Sequence, residues 1–226
     1  MFASFTAPTP QPVKAAPVAP TPRQSQPAGI LPIHGQPVAD AIIRDYLDAP
    51  DSRAFLFHGP TGTGKTTTAH YLADRLGVDR SPIGGYEEIA SGEQTAEAVR
   101  QLARSLRLRP MSGLWRLIVV NEADKMTGGA EAIWLDVLES LPENVTVVFS
   151  SNNPEKLSQR FRNRCEEIEF VADESAVREF SRQEWQRLAP GRPVPASVMN
   201  AGIRDGWTPS YRLAVKDVKR AVSLAR

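Results

Sequence analysis

Apolar positions along this chain follow two patterns, which predict helices and strands in turn. Helical spacing of apolar residues predicts helices over residues 38–47, 67–76, 93–106 and 130–141. Short, nearly continuous apolar runs are typical of buried strands and cover residues 54–57, 114–120 and 145–149. Residues 167–171 alternate as an edge strand would. Strands alternating with helices predict an α/β fold in which a mostly parallel sheet is covered on both faces.

The same patterns predict which side chains are buried. In the first helix, the inner face is predicted to consist of Val38, Ala41, Ile42 and Tyr46. Residues 172–226 contain no strand pattern, and helices are predicted there over residues 174–188, 196–203 and 209–225. Trp185 and Trp207 are expected to be core residues of this smaller helical unit.

Prolines crowd the start of the chain, where they occupy positions 8, 10, 12, 17, 20, 22 and 27. Such a segment has little to bury, so it is predicted to be a disordered, partly polyproline-II tail. It is either an inert extension or a docking arm for a partner. The chain is therefore predicted to divide into a tail of residues 1–28, an α/β core of residues 29–171 and a helical domain of residues 172–226.

Composition narrows the classes of function. The formal net charge of +1 argues against a uniformly basic coat, so any contact with nucleic acid must come from a local patch. The single cysteine, Cys165, excludes an internal disulfide and a zinc module built from several cysteines. No apolar run approaches the roughly 18 residues of a membrane span, and the N-terminus lacks a signal-peptide pattern. The sequence predicts a cytoplasmic protein without membrane contact.

Residues 59–66 carry the most specific chemistry, because they read G-P-T-G-T-G-K-T, a complete phosphate-binding loop. The loop follows a predicted strand and precedes a predicted helix, the setting in which such loops bind anions. Glycines allow backbone N–H groups to surround phosphate oxygens. Lys65 is expected to contact the β- and γ-phosphates and Thr66 to ligate Mg²⁺. The predicted nucleotide-binding residues here are Gly59, Pro60, Thr61, Gly62, Thr63, Gly64, Lys65, Thr66 and Thr67.

A second motif, Asn121-Glu122-Ala123-Asp124, stands at the end of the predicted strand 114–120. In P-loop ATPases this strand end faces the Mg²⁺ and the attacking water, and Glu122 is predicted to polarise that water. Asn121 stands where a metal-facing aspartate is usual; its amide can hydrogen-bond a metal-bound water but adds no charge. Weaker Mg²⁺ support and slower turnover are therefore expected. A subunit that holds nucleotide without hydrolysing it is the alternative.

Together these motifs resemble those of AAA+ clamp-loader subunits, such as the small subunits of replication factor C and the gamma, tau and delta-prime subunits of bacterial loaders. Gly35-Gln36 resembles the G-Q box of that family. Residues 57–68 resemble its phosphate-loop segment, and residues 88–91 resemble its E-x-N-A-S stretch. Residues 121–127 resemble its D-E-A-D-x-M-T motif, residues 149–153 its sensor-1 strand and residues 163–165 its S-R-C motif. The resemblance extends from about residue 29 to the C-terminus and implies a AAA+ core with a helical lid.

The chain departs from the family pattern at a few places. Asn121 replaces the metal-facing aspartate, and Asn163 replaces the serine of S-R-C. The zinc module of bacterial loaders is missing, and the chain stops where loader subunits usually continue into a collar-forming helical domain. Oligomer formation is therefore expected to depend on the ATPase domains, on other partners or on the tail.

The resemblance also implies roles for residues outside the two motifs. Asn152 would orient the lytic water as sensor 1. Arg164 would be an arginine finger that reaches the γ-phosphate of a neighbouring subunit, with Arg160 and Arg162 as rival candidates. Arg212, at the start of the last predicted helix, is the candidate for sensor 2.

Arg100, Arg104 and Arg107 recur at helical spacing and share one face of the predicted helix over residues 93–106. A solvated helix face is the usual explanation of such a run. In clamp loaders the corresponding helix lines the DNA channel, so the resemblance implies contacts with DNA phosphates that position the protein without reading sequence.

These observations predict an ATPase that uses ATP and Mg²⁺ and works as a homo- or hetero-oligomer of AAA+ subunits. The predicted function is to load or remodel a protein partner, such as a sliding clamp, on DNA in replication or repair. One alternative is a remodeller or DNA-transposition regulator that acts on a protein partner. The other is a non-hydrolysing scaffold subunit of a larger assembly.

Overall fold

The computed structural model describes residues 33–225, so the predicted tail of residues 1–28 lies outside the described residues. Within this range five strands form one sheet in the order β2-β3-β4-β1-β5. The strands are β1 (Arg53–His58), β2 (Tyr86–Ile89), β3 (Arg116–Val120), β4 (Val145–Ser151) and β5 (Glu166–Glu169). All four pairings are parallel, as the sequence predicts. The carboxyl ends of the strands therefore share one side of the sheet, which we term the carboxyl edge.

Helices cover both faces of the sheet and form a separate unit after it. The helices within residues 33–225 are α1 (Pro37–Asp48), α2 (Lys65–Arg75), α3 (Ala96–Leu106), α4 (Gly128–Glu139), α5 (Gln159–Arg162), α6 (Glu174–Leu188), α7 (Ala196–Met199) and α8 (Tyr211–Leu224). In this part of the chain, none of them is long and apolar enough to cross a bilayer.

Strand β1 shows why both faces of the sheet need covering. Phe55 and Phe57 point into a core shared with α1 and α2, whereas Ala54 and Leu56 point into a core shared with α3, α4 and α5. Successive residues of a strand face opposite sides, so an unbroken apolar run is stable only when both sides are packed. The buried position of β1 fixes the phosphate loop that follows it.

Helix α1 lies where the sequence predicts it, and Tyr46 and Ile42 pack inward as predicted, but the prediction is wrong for the other two residues of the inner face. Val38 is 65% exposed and Ala41 is also exposed, whereas Ile43 and Tyr46 are fully buried. A hydrogen bond of 2.7 Å joins the hydroxyls of Tyr46 and Thr146 beneath the helix. This buried contact orients α1, and the predicted face is rotated by about one residue as a result.

Strand β2 was not predicted, and β3 begins at Arg116, two residues later than predicted. Strand β2 is an outermost strand of the sheet, and Glu87 and Glu88 are exposed in it. Its four residues therefore show no apolar alternation. Leu114 was predicted to open a buried strand but is 66% exposed. Apolar runs alone do not mark where a strand enters the sheet.

The helical unit α6–α8 packs around its own core, in which Trp185 is buried as predicted. The prediction for Trp207 is wrong, because this side chain is 70% exposed in the turn between α7 and α8. The second helix of this unit is also shorter than predicted and ends at Met199. Gly202 adopts a φ of +77°, a left-handed conformation that does not continue a helix.

Candidate functional site

A cavity of about 890 Å³ lies between the carboxyl edge of the sheet and the helices α6 and α8. The phosphate loop forms its floor, since residues 59–64 connect β1 to the first turn of α2. Gly59 has a φ of +130°, and a Cβ there would lie 2.1 Å from the carbonyl oxygen of Phe170. Only glycine fits this close approach. Of the predicted loop residues, 61–67 line the cavity.

Lys65 lies at the centre of this floor. Its Nζ donates hydrogen bonds to the carbonyl oxygens of Gly59 and Pro60, at 2.7 and 2.8 Å, and to Oδ1 of Asn152 at 2.9 Å. Burial, and then the positive charge of Arg212, lower the pKa of Lys65 to about 8. Two cations that repel each other in a half-buried pocket favour an anion between them. The arrangement therefore suits a polyphosphate.

One side of the cavity is formed by hydroxyl and amide oxygens. The hydroxyls of Thr66 and Ser150 donate to Oδ1 of Asn121, at 3.2 and 3.4 Å. Within residues 33–225, no three His, Cys, Asp or Glu side chains form a cluster that could hold a metal ion. Mg²⁺ commonly takes few protein ligands and is completed by water and substrate phosphates. Thr66 and Asn121 suit that mode of binding.

Glu122 lines the same cavity from an unusual backbone conformation. Its φ of +53° lies in the left-handed region, which costs a non-glycine residue on the order of 1 kcal/mol. Its carboxylate accepts from Nζ of Lys125 at 2.6 Å. This bond, and then one from Ser91, hold the pKa of the Glu122 carboxyl below its ordinary value. The side chain is therefore an anion at neutral pH, as polarisation of a water requires.

Asp124 organises the end of β4, a role that the sequence analysis did not assign. Its carboxylate accepts from the Ser151 hydroxyl at 2.9 Å and, at 3.4 Å each, from the backbone N–H of Asn152 and the side-chain amide of Asn153. His58 pairs with Ser151, so Asn152 directly adjoins the start of the phosphate loop. Asp124 therefore positions Asn152 beside Lys65.

The helical unit closes the other side of the cavity. The backbone N–H of Tyr211 donates to the carbonyl oxygen of Gly62 at 3.0 Å, so α8 begins directly on the phosphate loop. Arg212 follows and lines the cavity, as its predicted role requires. His34, Phe180 and Tyr211 form an aromatic cluster, with ring centroids 5.2 to 6.5 Å apart. This end is suited to a flat, apolar group such as a base.

The comparison with protein families decides the classification. A model of the "ATPase family associated with various cellular activities (AAA)" matches residues 55–173, more than half of the chain. This chain belongs to the AAA family. The predicted AAA+ identity is confirmed, and with it the predicted parallel α/β core followed by helices.

Among the curated relatives of this AAA protein is the replication factor C large subunit of Halobacterium salinarum. The two are 31% identical over 208 residues, which cover 85% of this chain and 43% of the relative. The chain thus spans somewhat less than half the length of that relative. This AAA protein is related to clamp-loader subunits, as the sequence analysis predicts.

Two solved structures from Thermotoga maritima share the fold. A DNA polymerase III gamma subunit-related protein has a TM-score of 0.59 at 14% identity, over 80% of this chain and 57% of that one. The RuvB Holliday junction branch migration motor has a TM-score of 0.65 at 18% identity, over 84% of this chain and 62% of that one. At these identities the similarity concerns the fold alone.

Arg164 of this AAA protein is not part of the cavity. It lies beside Ser52 and Glu166, which stand at the opposite edge of the sheet from the phosphate loop. The six residues of β1 separate these edges by roughly 17 Å at about 3.3 Å per residue. Arg164 pairs with Glu139 and donates to the carbonyl oxygen of Arg160 at 2.9 Å. It therefore cannot reach a group bound in the cavity of its own chain.

The three arginines considered for DNA contact also lie away from the cavity. Arg100 and Arg104 are exposed on α3, and Arg107 is exposed at its C-terminal end. Arg100 forms an ion pair of 3.4 Å with Glu97. This surface is accessible and basic, and its binding to DNA stays a prediction.

The contact between loop and helical unit gives a first prediction, for Gly62→Ala. Gly62 has a φ of +84°, and a Cβ there would lie 2.1 Å from the hydroxyl oxygen of Ser210. Backbone strain and overpacking should together lower the free energy of unfolding by roughly 2–4 kcal/mol, and nucleotide affinity should fall because α8 is displaced from the loop. Urea unfolding and binding of a fluorescent ATP analogue measure the two effects.

Gly113→Ala is the matched control, because Gly113 has a φ of +83° but the nearest atom to a Cβ would be 3.7 Å away. It should lose only the strain term, about 1–2 kcal/mol, and keep nucleotide affinity. Equal losses of stability in both variants, with unchanged nucleotide binding in Gly62→Ala, would show that the contact is unimportant.

Proposed function

We propose that this protein binds ATP with Mg²⁺ in the cavity and hydrolyses it as one subunit of a AAA+ oligomer, using the energy to load or remodel a partner on DNA. The observation that carries the proposal is the convergence of five side chains on one cavity. Two cations, Lys65 and Arg212, face an ionised carboxylate on Glu122 and the polar pair Asn121 and Thr66. This combination suits phosphoryl transfer to water.

Different residues of the cavity bind the nucleotide and activate the water. Lys65 and Arg212 neutralise the phosphates, and the loop N–H groups hold them in place. Thr66 would ligate Mg²⁺, and Asn121 would hold it through a water. The ion neutralises charge on the β- and γ-phosphates when it is bound. Glu122 polarises the attacking water, whose oxygen forms a bond to the γ-phosphorus while the bond to the β–γ bridging oxygen breaks. The proton of the water passes to the phosphate that is formed, and ADP and phosphate leave.

Two contacts within the cavity have to change before this reaction proceeds. Lys65 donates to Oδ1 of Asn152, and Lys125 holds the carboxylate of Glu122. A γ-phosphate would compete for the Lys65 donors and free Asn152 to orient the water. Glu122 has to exchange its bond with Lys125 for one with that water. Nucleotide binding is coupled in this way to the release of Asn152 and Glu122 for catalysis.

Completion of the site requires a second subunit. The position of Arg164 at the opposite edge of the sheet supports its use by a neighbouring nucleotide, in a homo- or hetero-oligomer. The relationship to replication factor C supports a role in DNA replication or repair, with a sliding clamp or another protein as the partner.

The test of the proposed function is ATP turnover measured with and without DNA. Turnover that DNA stimulates supports a clamp-loader-like role. Turnover that DNA leaves unchanged supports a remodeller that acts on protein alone. ATP binding without any turnover, in the presence of Mg²⁺ and DNA, would contradict the proposed activity and favour a scaffold subunit.

The DNA contact is tested by reversing charges on α3. Arg100→Glu together with Arg104→Glu should weaken DNA binding similarly for all sequences, because phosphate contacts carry no sequence information. If each arginine neutralises one phosphate, the slope of log K against log salt should become shallower by roughly 1.8 for duplex DNA. Fluorescence anisotropy at several salt concentrations, with ATP present, measures both quantities.

Arg44→Glu together with Arg75→Glu is the matched control, since these residues lie on α1 and α2, which cover the other face of the sheet. The control changes the net charge equally and should keep the wild-type slope. If both double variants lose affinity to the same extent, net charge and not the α3 surface governs DNA binding.

A further inference from the structure

A carboxylate lies directly behind the asparagine that replaces the usual metal-facing aspartate. Oε1 of Glu88 accepts a hydrogen bond of 2.6 Å from Nδ2 of Asn121. On its other side, Oδ1 of Asn121 accepts from the hydroxyl of Thr66. The Asn121 amide therefore connects a carboxylate to the hydroxyl that is proposed to ligate Mg²⁺.

The sheet holds this pair in register. Glu88 pairs with Val119 at the end of the neighbouring strand, and the backbone N–H of Asn121 donates to the carbonyl oxygen of Ile89 at 3.0 Å. The other oxygen of Glu88 accepts from the hydroxyl of Tyr86 at 2.8 Å. Both oxygens of this carboxylate are thus hydrogen-bonded, which fixes its direction toward Asn121.

Glu88 is charged in this setting. Burial tends to raise the pKa of its carboxyl, but the hydrogen bonds from Tyr86 and Asn121 and the nearby His70, at 3.4 Å, outweigh that effect. The pKa of Glu88 therefore lies below its ordinary value. Arg80 lies over the ring of Tyr86 and pairs with Asp74, and Glu87 points away to Arg116.

We propose that Glu88 is a positioning residue that supplies, through the Asn121 amide, the negative charge that an aspartate at position 121 would carry. A charge-assisted hydrogen bond to the N–H of an amide polarises the group and increases the negative charge on its oxygen. Carboxylates act in the same way behind metal-ligating histidines. The inference rests on the proposed nucleotide site and changes what Asn121 does there. The negative charge is carried by Glu88, behind Asn121, and is therefore one residue further from the metal.

The geometry has a direct consequence for Asn121→Asp. In that variant two carboxylates would meet at about the distance of the present hydrogen bond, and like charges this close raise the pKa of one of them. A simple return to aspartate should therefore weaken the site. Only the exchange Glu88→Gln with Asn121→Asp keeps one charge and one amide across the same contact.

The experiment is a Mg²⁺ titration of the binding of a fluorescent, non-hydrolysable ATP analogue to the full chain. Glu88→Gln can still accept from Asn121, so a merely structural role would survive it. We expect the Mg²⁺ concentration for half-maximal enhancement to rise on the order of 10-fold, while binding in EDTA is unchanged. The exchange variant should return toward the wild-type value, and Asn121→Asp alone should not. Glu87→Gln, on the same strand, is the control and should behave as wild type.

The outcomes separate this inference from the proposed function. If wild type binds the analogue with Mg²⁺ dependence and Glu88→Gln shows the same dependence, the inference is wrong and the nucleotide site stands. An exchange variant no better than Glu88→Gln overturns it as well. If wild type does not bind the analogue at all, the proposed function fails first, and the role of Glu88 fails with it.

Discussion

Arg164→Ala is expected to bind ATP almost as wild type does and to hydrolyse it roughly 10³–10⁵-fold more slowly. An arginine supplied in trans offsets charge that develops on the γ-phosphate in the transition state, so its loss affects the rate and hardly the affinity. Arg164 lies at the edge of the sheet away from its own cavity, and its side chain is 24% exposed. Phosphate release and equilibrium binding of an ATP analogue, measured on one preparation, separate the two effects.

The controls are the two rival arginines of the same segment. Arg162 forms an ion pair of 2.8 Å with Glu167, as Arg164 does with Glu139, so Arg162→Ala controls for the loss of such a pair and should keep most of the turnover. Arg160 is exposed on α5, and Arg160→Ala should keep most of the activity. If Arg160→Ala is the inactive variant and Arg164→Ala is active, the finger has been assigned to the wrong residue.

Glu122→Gln has the second large expected effect. The substitution keeps the shape of the side chain but removes the negative charge that polarises the attacking water, so turnover should fall by roughly 10²–10⁴-fold. ATP affinity should be retained or slightly increased, because a negative charge near the phosphates is removed. Steady-state phosphate release under saturating ATP and DNA, with binding of the analogue measured in parallel, tests both expectations.

Glu143→Gln provides a matched control, since Glu143 is an exposed carboxylate in the loop before β4, at the opposite edge of the sheet. It should leave turnover unchanged. A Glu122→Gln variant that hydrolyses ATP at the wild-type rate would show that another group activates the water, and it would remove Glu122 from the mechanism.

Local signals were sufficient for the parts of the fold that depend on adjacent residues. The phosphate loop lies between β1 and α2 as predicted, because glycines, a buried strand and a helix start are contiguous in the sequence. Helix α6 begins and ends at the predicted residues, Glu174 and Leu188, since Asp173 caps its first turn through its side chain. Motifs and helix caps formed by adjacent residues can be recognised without knowledge of the tertiary structure.

Tertiary contacts decided the features that the sequence did not reveal. Strand β2 has two exposed glutamates and forms only because β3 offers it a hydrogen-bonding edge. Trp207 is as apolar as Trp185, but it stands in a turn where no neighbouring helix covers it. Side-chain type predicts burial only when the position in the fold is also known.

The candidate site shows the same division. Lys65, Asn121, Glu122 and Asn152 come from motifs and meet because parallel strands end at one edge of the sheet. Glu88 belongs to the stretch that resembles E-x-N-A-S, but that resemblance does not indicate its contact with Asn121, which requires β2 to pair with β3 in one register. The sequence identified Asn121 as a candidate site residue, but it did not reveal that the carboxylate of Glu88 contacts it.

The most direct test of a nucleotide site shared between subunits is to mix two inactive variants. Lys65→Ala removes the phosphate contact of one subunit, and Arg164→Ala removes the finger that it offers to its neighbour. Each variant alone should be inactive, whereas a mixture should recover part of the wild-type turnover, because some sites then combine an intact Lys65 with an intact Arg164 of the adjacent subunit. A mixture that stays inactive, although native mass spectrometry shows that mixed oligomers form, would contradict the account.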